Sequence, residues 1–164
     1  MKKLIVLLFM ILPLGVVAQE LKIAFVSVQE IFMSMPELSN IEKQLTDLNE
    51  KYSQELKTMQ DEYQRKYSDY IAQQDSLTDN IKLRRMQEIE DLRNRIENFV
   101  PIAQQDMQKK QEDLYKPVQE KIQNAIKAVG EEKGYTYIMD PQVFLYSGDN
   151  AINATPFVRA KLGL

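Results

Sequence analysis

Cysteine, histidine and tryptophan are all missing from the 164 residues, and between Gly15 and Gly130 there is no glycine. Each absence removes a class of chemistry. Without cysteine there is neither a disulfide framework nor a thiolate nucleophile. Without histidine the familiar triads and His/Cys zinc sites cannot be built. The long glycine-free stretch leaves no place for a Gly-rich phosphate loop. Paired carboxylates could still act as acid and base, but here Asp and Glu alternate with Lys, Arg and Gln along helical segments, where a solvated face is the default. The composition speaks against an enzyme; neither a cofactor nor a metal site is expected, and no catalytic residue is nominated.

Long apolar runs are scarce as well. The one that stands out, Leu4–Val17, is broken by Pro13 and Gly15, preceded by Lys2-Lys3 and followed by Ala18. This is the pattern of a secretory signal peptide cleaved after Ala18, too short and wrongly flanked for a transmembrane helix. No cysteine follows Ala18, so no lipid anchor is expected, and the mature protein should be soluble in a bacterial periplasm. Removing eighteen of the 164 residues leaves 146, about one domain. The chain has 21 basic and 24 acidic side chains; without Lys2 and Lys3 the balance is 19 against 24, a net −5. A basic nucleic-acid-binding surface is not expected.

What the chain does have is helical periodicity. From Leu38 the apolar positions run Leu38, Ile41, Leu45, Leu48, Tyr52, Leu56, Met59, Tyr63, Tyr67 and Tyr70. These spacings of three and four mark one face of a long amphipathic helix. After Leu45 they settle into an eleven-residue period, which favours a nearly straight or weakly right-handed pairing. A second stripe, Leu92, Ile96, Phe99, Ala103, Met107, Leu114 and Val118, keeps the same phase if Lys110 fills one slot with its stem along the seam. Between the two, Gln73 to Asn80 breaks both patterns and offers helix-starting caps at Ser76, Thr78, Asp79 or Asn80. The chain should turn back there as an antiparallel hairpin spanning residues 37–116, with its tip near 74–80. Pro101 should kink or loosen the return arm, and Pro117 should either kink it or open a new helix at its first position.

Two β-like runs, Tyr135–Met139 and Val143–Tyr146, lie near the C-terminus, joined by Asp140-Pro141. A lone two-stranded hairpin is marginal in water, so a third strand is required. The run Lys22–Val28, apolar on both strand faces, is the expected partner, brought alongside by the returning hairpin. Short helices are expected at Gln29–Met33, at Pro117–Glu132 and, capped by Thr155 with Pro156 following, at Phe157–Leu162. The fold class is therefore α+β, mainly α: a long helical hairpin projecting from a small three-stranded body made of residues 19–36 and 117–164. Such a small sheet leaves apolar edges and a face uncovered, which favours oligomerisation through the body; Ile23, Phe25, Val26, Ile138, Phe144 and Leu145 are the candidate contacts.

The stretch Leu21–Phe32 (LKIAFVSVQEIF) after a signal peptide, the Gln/Glu/Lys-rich middle, Tyr115-Lys116-Pro117-Val118, and Gly134-Tyr135 leading to Met139-Asp140-Pro141 and Leu145-Tyr146 together resemble the Skp/OmpH family of periplasmic chaperones. The resemblance covers essentially the whole mature chain. It implies a homotrimer with a β-rich body and three helical arms around a cavity, which holds unfolded outer-membrane proteins without ATP. Two departures stand out. The family commonly has an aspartate two residues before the threonine, where this chain has Asn153 before Thr155. Family members can also be strongly basic, whereas here Glu37–Asp75 carries nine acids and five bases and Asp79–Lys116 eight of each.

A holdase must shield many apolar sequences reversibly, which suits numerous weak contacts better than one tight pocket. The candidate client contacts are Tyr67, Tyr70, Ile71, Leu77, Ile81, Leu83 and Met86, toward the tip; for several of them, packing in the hairpin seam is the competing reading. Lys82, Arg84 and Arg85 form a local basic cluster that either makes a weak contact with anionic lipid at a membrane surface or is an ordinary solvated helix face. The rival to the chaperone reading is a structural adaptor whose hairpin docks onto one fixed, folded envelope protein.

Overall fold

The computed structural model describes residues 21–164; the expected signal peptide lies outside the described residues. The described residues open with strand β1 (Ile23–Phe25) and a short helix α1 (Val28–Met33), whose first turn is capped by Ser27, its side chain accepting from the Glu30 amide. Helix α2 (Glu37–Gln73) then runs for 37 residues, about 55 Å at 1.5 Å per residue. One 3₁₀ turn, Gln74–Ser76, and an extended Leu77 reverse the chain. Helix α3 (Asp79–Lys133) returns for 55 residues, beginning at Thr78, which makes no side-chain capping bond, and ending at Gly134 with φ of 68°, the left-handed conformation glycine adopts without penalty.

The two arms pair antiparallel in one register. Near the base Lys121 donates to Glu37 at 2.6 Å, and the Phe32 ring meets Tyr115 edge-on at 5.5 Å. Halfway out Tyr52 meets Phe99 at 5.9 Å, and near the tip Lys66 reaches Glu88 at 3.2 Å. The Lys121 hydrogen bond, with one from the Glu37 amide, holds the Glu37 carboxyl below the usual carboxylate range.

Both prolines lie inside α3, which continues through them, so no new helix starts at Pro117. Pro101 and Pro117 are exposed, and the carbonyls they leave without an amide partner, those of Glu97 and Asp113, therefore lie on the watered side of the arm. Lys110 is exposed too, so the seam around it is lined by the half-buried Met107 and Leu114.

The sheet has three strands, but not the three expected. β2 (Tyr137–Met139) pairs parallel to β1, and β3 (Ile152–Asn153) pairs parallel to its other side, giving the order β2-β1-β3. The run Val143–Tyr146 is not a strand. Asp140 accepts from the Gln142 amide at 2.9 Å and, with Pro141 following, starts a 3₁₀ turn over Pro141–Val143. That turn carries the chain away from β2 before a hairpin can form, and Asp140 also accepts from the Val28 amide at 3.4 Å, which ties it to the start of α1. A parallel neighbour needs a long crossover; the whole helical hairpin supplies it between β1 and β2.

The closing helix α4 (Thr155–Leu162) begins one residue earlier than Thr155 as a cap would allow. Thr155 is buried, and its hydroxyl accepts from the Ser27 amide at 3.0 Å, while its own amide donates to the Asn153 side chain at 2.9 Å. The Asn153 amide oxygen thus makes the contact an aspartate would make at that position. Beneath the sheet, Ala24, Val26, Ile31, Ile122, Val129 and Val158 form the core, joined at the foot of the arms by Leu38, Ile41 and Val118. Outside this cluster the hairpin has one fully buried side chain, Leu92, at 1 % exposure.

Candidate functional site

Pleating divides the sheet into two unlike faces. Ala24 and Val26 alternate with Ile23 and Phe25, and in the parallel register Ala24 lies beside Ile138, Ile23 beside Tyr137, and Phe25 beside Met139. The first set points at the helices. The second set forms an apolar face on which, among the described residues, nothing is layered: Ile23, Tyr137 and Met139 are exposed and Phe25 is half-buried. Close by in sequence, Val143, Leu145 and Tyr146 stand out in water; Leu145 and Tyr146 are essentially fully exposed.

The six residues expected at an oligomeric contact therefore separate. Ile23 and Leu145 are on open surface, and Phe25 and Phe144 are half-buried. Val26 has no exposure at all and belongs to the chain's own core, and Ile138 packs on that core from β2, so neither presents a free surface. The sequence did not single out Tyr137, Met139, Val143 and Tyr146, which are exposed beside them. The signal for Tyr137 and Met139 was the period of two about Ile138, legible only once the inward direction of Ile138 is known.

The second apolar surface is at the far end of the hairpin. Ile71, Leu83 and Met86 are 46, 67 and 54 % exposed, and Tyr67 and Ile81 are exposed as well, whereas Tyr70 and Leu77 are half-buried. Tyr67 stacks on Tyr63 one turn back, ring planes 8° apart and centroids at 6.1 Å. These side chains sit at the end of a two-helix rod too thin to bury them, which is why the hairpin cannot hide them.

Of the basic cluster Lys82, Arg84 and Arg85, the two arginines are less free than the sequence suggests. Arg84 lies 3.7 Å from Glu88 on its own helix. Arg84 and Arg85 share an inter-arm groove with Arg65 and Lys66 and with the carboxylates of Glu62, Asp69 and Glu88. The groove mixes both signs, so the local field is far from that of three uncompensated cations. Among the described residues no group of three or more acidic side chains is arranged to hold a metal ion, and no helix is long and apolar enough to cross a membrane.

Comparison with known proteins adds to this geometry. The family model described as outer membrane protein (OmpH-like) matches residues 22–162. The chain is 30 % identical over 128 residues to the chaperone protein Skp of Pectobacterium atrosepticum, covering 76 % of each chain. It is 30 % identical over 132 residues to the chaperone protein Skp of Yersinia enterocolitica, covering 79 % of each. Its fold is similar to the crystal structure of an OmpH-like protein of Caulobacter crescentus CB15, with a TM-score of 0.74 over 86 % of this chain and 83 % of that one, at 11 % identity.

Proposed function

This chain belongs to the OmpH-like family, whose members are chaperones and not enzymes, and on that premise we propose that it is an ATP-independent holdase of the periplasm, exported by a cleaved signal peptide. Copies of the chain associate through the body, in the manner of a homotrimer, and their hairpins enclose a space in which unfolded outer-membrane proteins are kept from aggregating. The observation that carries the reading is the placing of exposed apolar side chains. Two groups stand out among them, one on the open sheet face and its neighbouring loop, one around Tyr67, Ile71, Ile81, Leu83 and Met86 at the end of an arm about 55 Å long.

The two groups suit two tasks. An apolar sheet face of this kind is normally covered by another protein surface. The distal group is dispersed, built of flexible and amphipathic side chains such as Met86 and Tyr67, and suits weak contacts with irregular apolar segments. Release then needs no nucleotide, because each contact is worth little alone.

The test is light scattering. An unfolded outer-membrane β-barrel protein is diluted from urea, without ATP, in the presence of the chain lacking residues 1–18. Suppression of aggregation that saturates near one oligomer per client is the expected result. A folded, oligomeric chain that suppresses nothing would sink the holdase reading. The rival reading, an adaptor docking to one folded envelope partner, predicts stoichiometric binding to that partner and no preference for unfolded chains.

A further inference from the structure

We propose that a cleft halfway along the hairpin is a separate client site, one that takes an uncharged, extended stretch of polypeptide and lodges a large apolar side chain between the arms. It deepens the holdase reading and rests on it. The cleft measures about 430 Å³ and opens between α2 and α3, within the roughly 300–1,000 Å³ of ligand pockets in general. Its floor is Tyr52, Leu56, Phe99, Ala103 and Met107. All five belong to the seam stripes, yet all are only half-buried, whereas Leu92 farther out is closed to solvent. The seam is open here.

Three features define the occupant. First, every residue lining the cleft is uncharged, in a hairpin otherwise dense with ions; Asn98 to Gln105 reads NFVPIAQQ. Of the two acids that flank this stretch, Glu97 lies 3.6 Å from Arg93 on its own helix, and Asp106 is engaged by the Tyr52 hydroxyl, which donates to it. The groove nearer the tip, by contrast, is lined by four cations and three carboxylates. Second, the rim is made of side-chain amides, Asn49, Gln104 and Gln108 among them. Each carries both donor and acceptor, the complement of a peptide group, and an extended chain losing water must pair its own N–H and C=O groups. Third, Val100 at the mouth and Ile102 two residues on are exposed, Ile102 at 63 %, although neither lies on the seam stripe. A charged ligand would lose water here and gain no counter-ion; an uncharged extended segment with an aromatic or branched side chain loses nothing of the kind.

The chain contains no tryptophan, so a tryptophan placed in a peptide reports its own burial by fluorescence. The probes are the uncharged peptide Thr-Asn-Val-Trp-Val-Asn-Thr, N-acetylated and C-amidated to remove its terminal charges, and the same capped peptide with both Val replaced by Lys, titrated with the full mature chain. Expected is a saturable blue shift for the uncharged peptide and little for the other. Ala103→Phe fills the floor and should weaken the uncharged peptide about tenfold or more, the scale of one lost buried apolar side chain. Gln104→Glu with Gln108→Glu changes only exposed positions, so folding is not at stake; it should weaken the uncharged peptide and strengthen the lysine one. Unchanged affinities in both variants, or no binding by the wild type, overturn the proposal; so does a change of oligomer mass in Ala103→Phe without peptide binding, which would assign the cleft to a second copy. Aggregation suppression by the wild type is scored separately. Suppression alongside unchanged peptide affinity rejects the cleft alone, and absence of suppression rejects the holdase reading whatever the peptides do.

Discussion

Replacing Leu92 by alanine should loosen the outer half of the hairpin while leaving the body intact. Leu92 is the one fully buried side chain of the arms outside the body's core. The register set by Tyr52 against Phe99 and Lys66 against Glu88 puts it across from Met59 and Tyr63, both half-buried. Truncation removes three carbon atoms, about 2.4 kcal/mol at ~0.8 kcal/mol per buried carbon. A cavity term normally adds to this, but Met59 and Tyr63 are at the surface of a two-helix rod and can close over the gap, so the total should stay near the low end of the Leu→Ala range, about 2.5 kcal/mol. Hydrogen exchange read residue by residue is the assay. If the seam opens as a local unit, amides of α2 and α3 beyond the mid-arm should lose about 60-fold in protection, since each 1.4 kcal/mol is a factor of ten. Amides of β1 and of α3 near Ile122 should keep theirs. A loss under about fivefold in the outer arm would show that the seam does not depend on Leu92, and an equal loss in the body would show that arms and body open as one unit; either refutes the reasoning.

Alanine at Leu77, Ile81 and Leu83 together should weaken binding of an unfolded outer-membrane protein by about tenfold or more, with helix content by circular dichroism retained because alanine is the best helix former; unchanged affinity would remove the tip as a client surface. Leu145→Ser with Tyr146→Ser touches two essentially fully exposed side chains, so the monomer fold should survive while sedimentation velocity shows a smaller oligomer at equal concentration; an unchanged mass would place the body interface elsewhere. The Glu37 carboxyl is held low by Lys121, so its contribution is present above the ordinary glutamate pKa and lost as pH falls through the folded one. With side chains 39 and 48 % exposed, that contribution should not exceed about 0.5 kcal/mol, and Glu37→Gln should abolish this part of the acid dependence in urea unfolding; a steeper acid loss in the variant contradicts the assignment. The Tyr52 phenol is raised chiefly by its hydrogen bond to Asp106, a bond present while the phenol is protonated and lost as pH rises through its folded pKa. Ultraviolet titration should show one tyrosine ionising late, and Asp106→Asn should return it to the ordinary range.

Much of the molecule is legible in its residues because helical periodicity is a local signal. The stripes beginning at Leu38 and Leu92, broken at Gln73 to Asn80, specify two long amphipathic helices and a reversal, since one apolar face every 3.6 residues can be buried only by a partner of the same period. The left-handed stop at Gly134 is equally local. The resemblance carried by Leu21–Phe32 and Met139-Asp140-Pro141 pointed to the family that the comparisons then bore out.

Where reading stopped short, the deciding contact was distant. Val143–Tyr146 has the composition of a strand and Ile152–Asn153 hardly does, yet β1 pairs with the latter, because Asp140 bonds Gln142 and Val28 and starts a turn where a hairpin was expected. Thr155 looks like a helix cap and serves instead as acceptor for the Ser27 amide, 128 residues away in sequence. Val26, just past β1, and Ile138 on β2, both apolar, could as well have faced outward with Tyr137 and Met139.

The residues by themselves determined the two amphipathic arms, the reversal between them, and the lack of catalytic chemistry, all of which follow from side-chain identity and spacing along a few turns; that the return arm runs unbroken through Pro117 to Lys133 did not follow from them. Only the tertiary structure decided which segment became the third strand, which way each strand faced, and which apolar side chains were left in water at the tip and on the open sheet. A one-residue change of facing exchanges every inner side chain for an outer one at no local cost, so that choice is made by packing across the whole body.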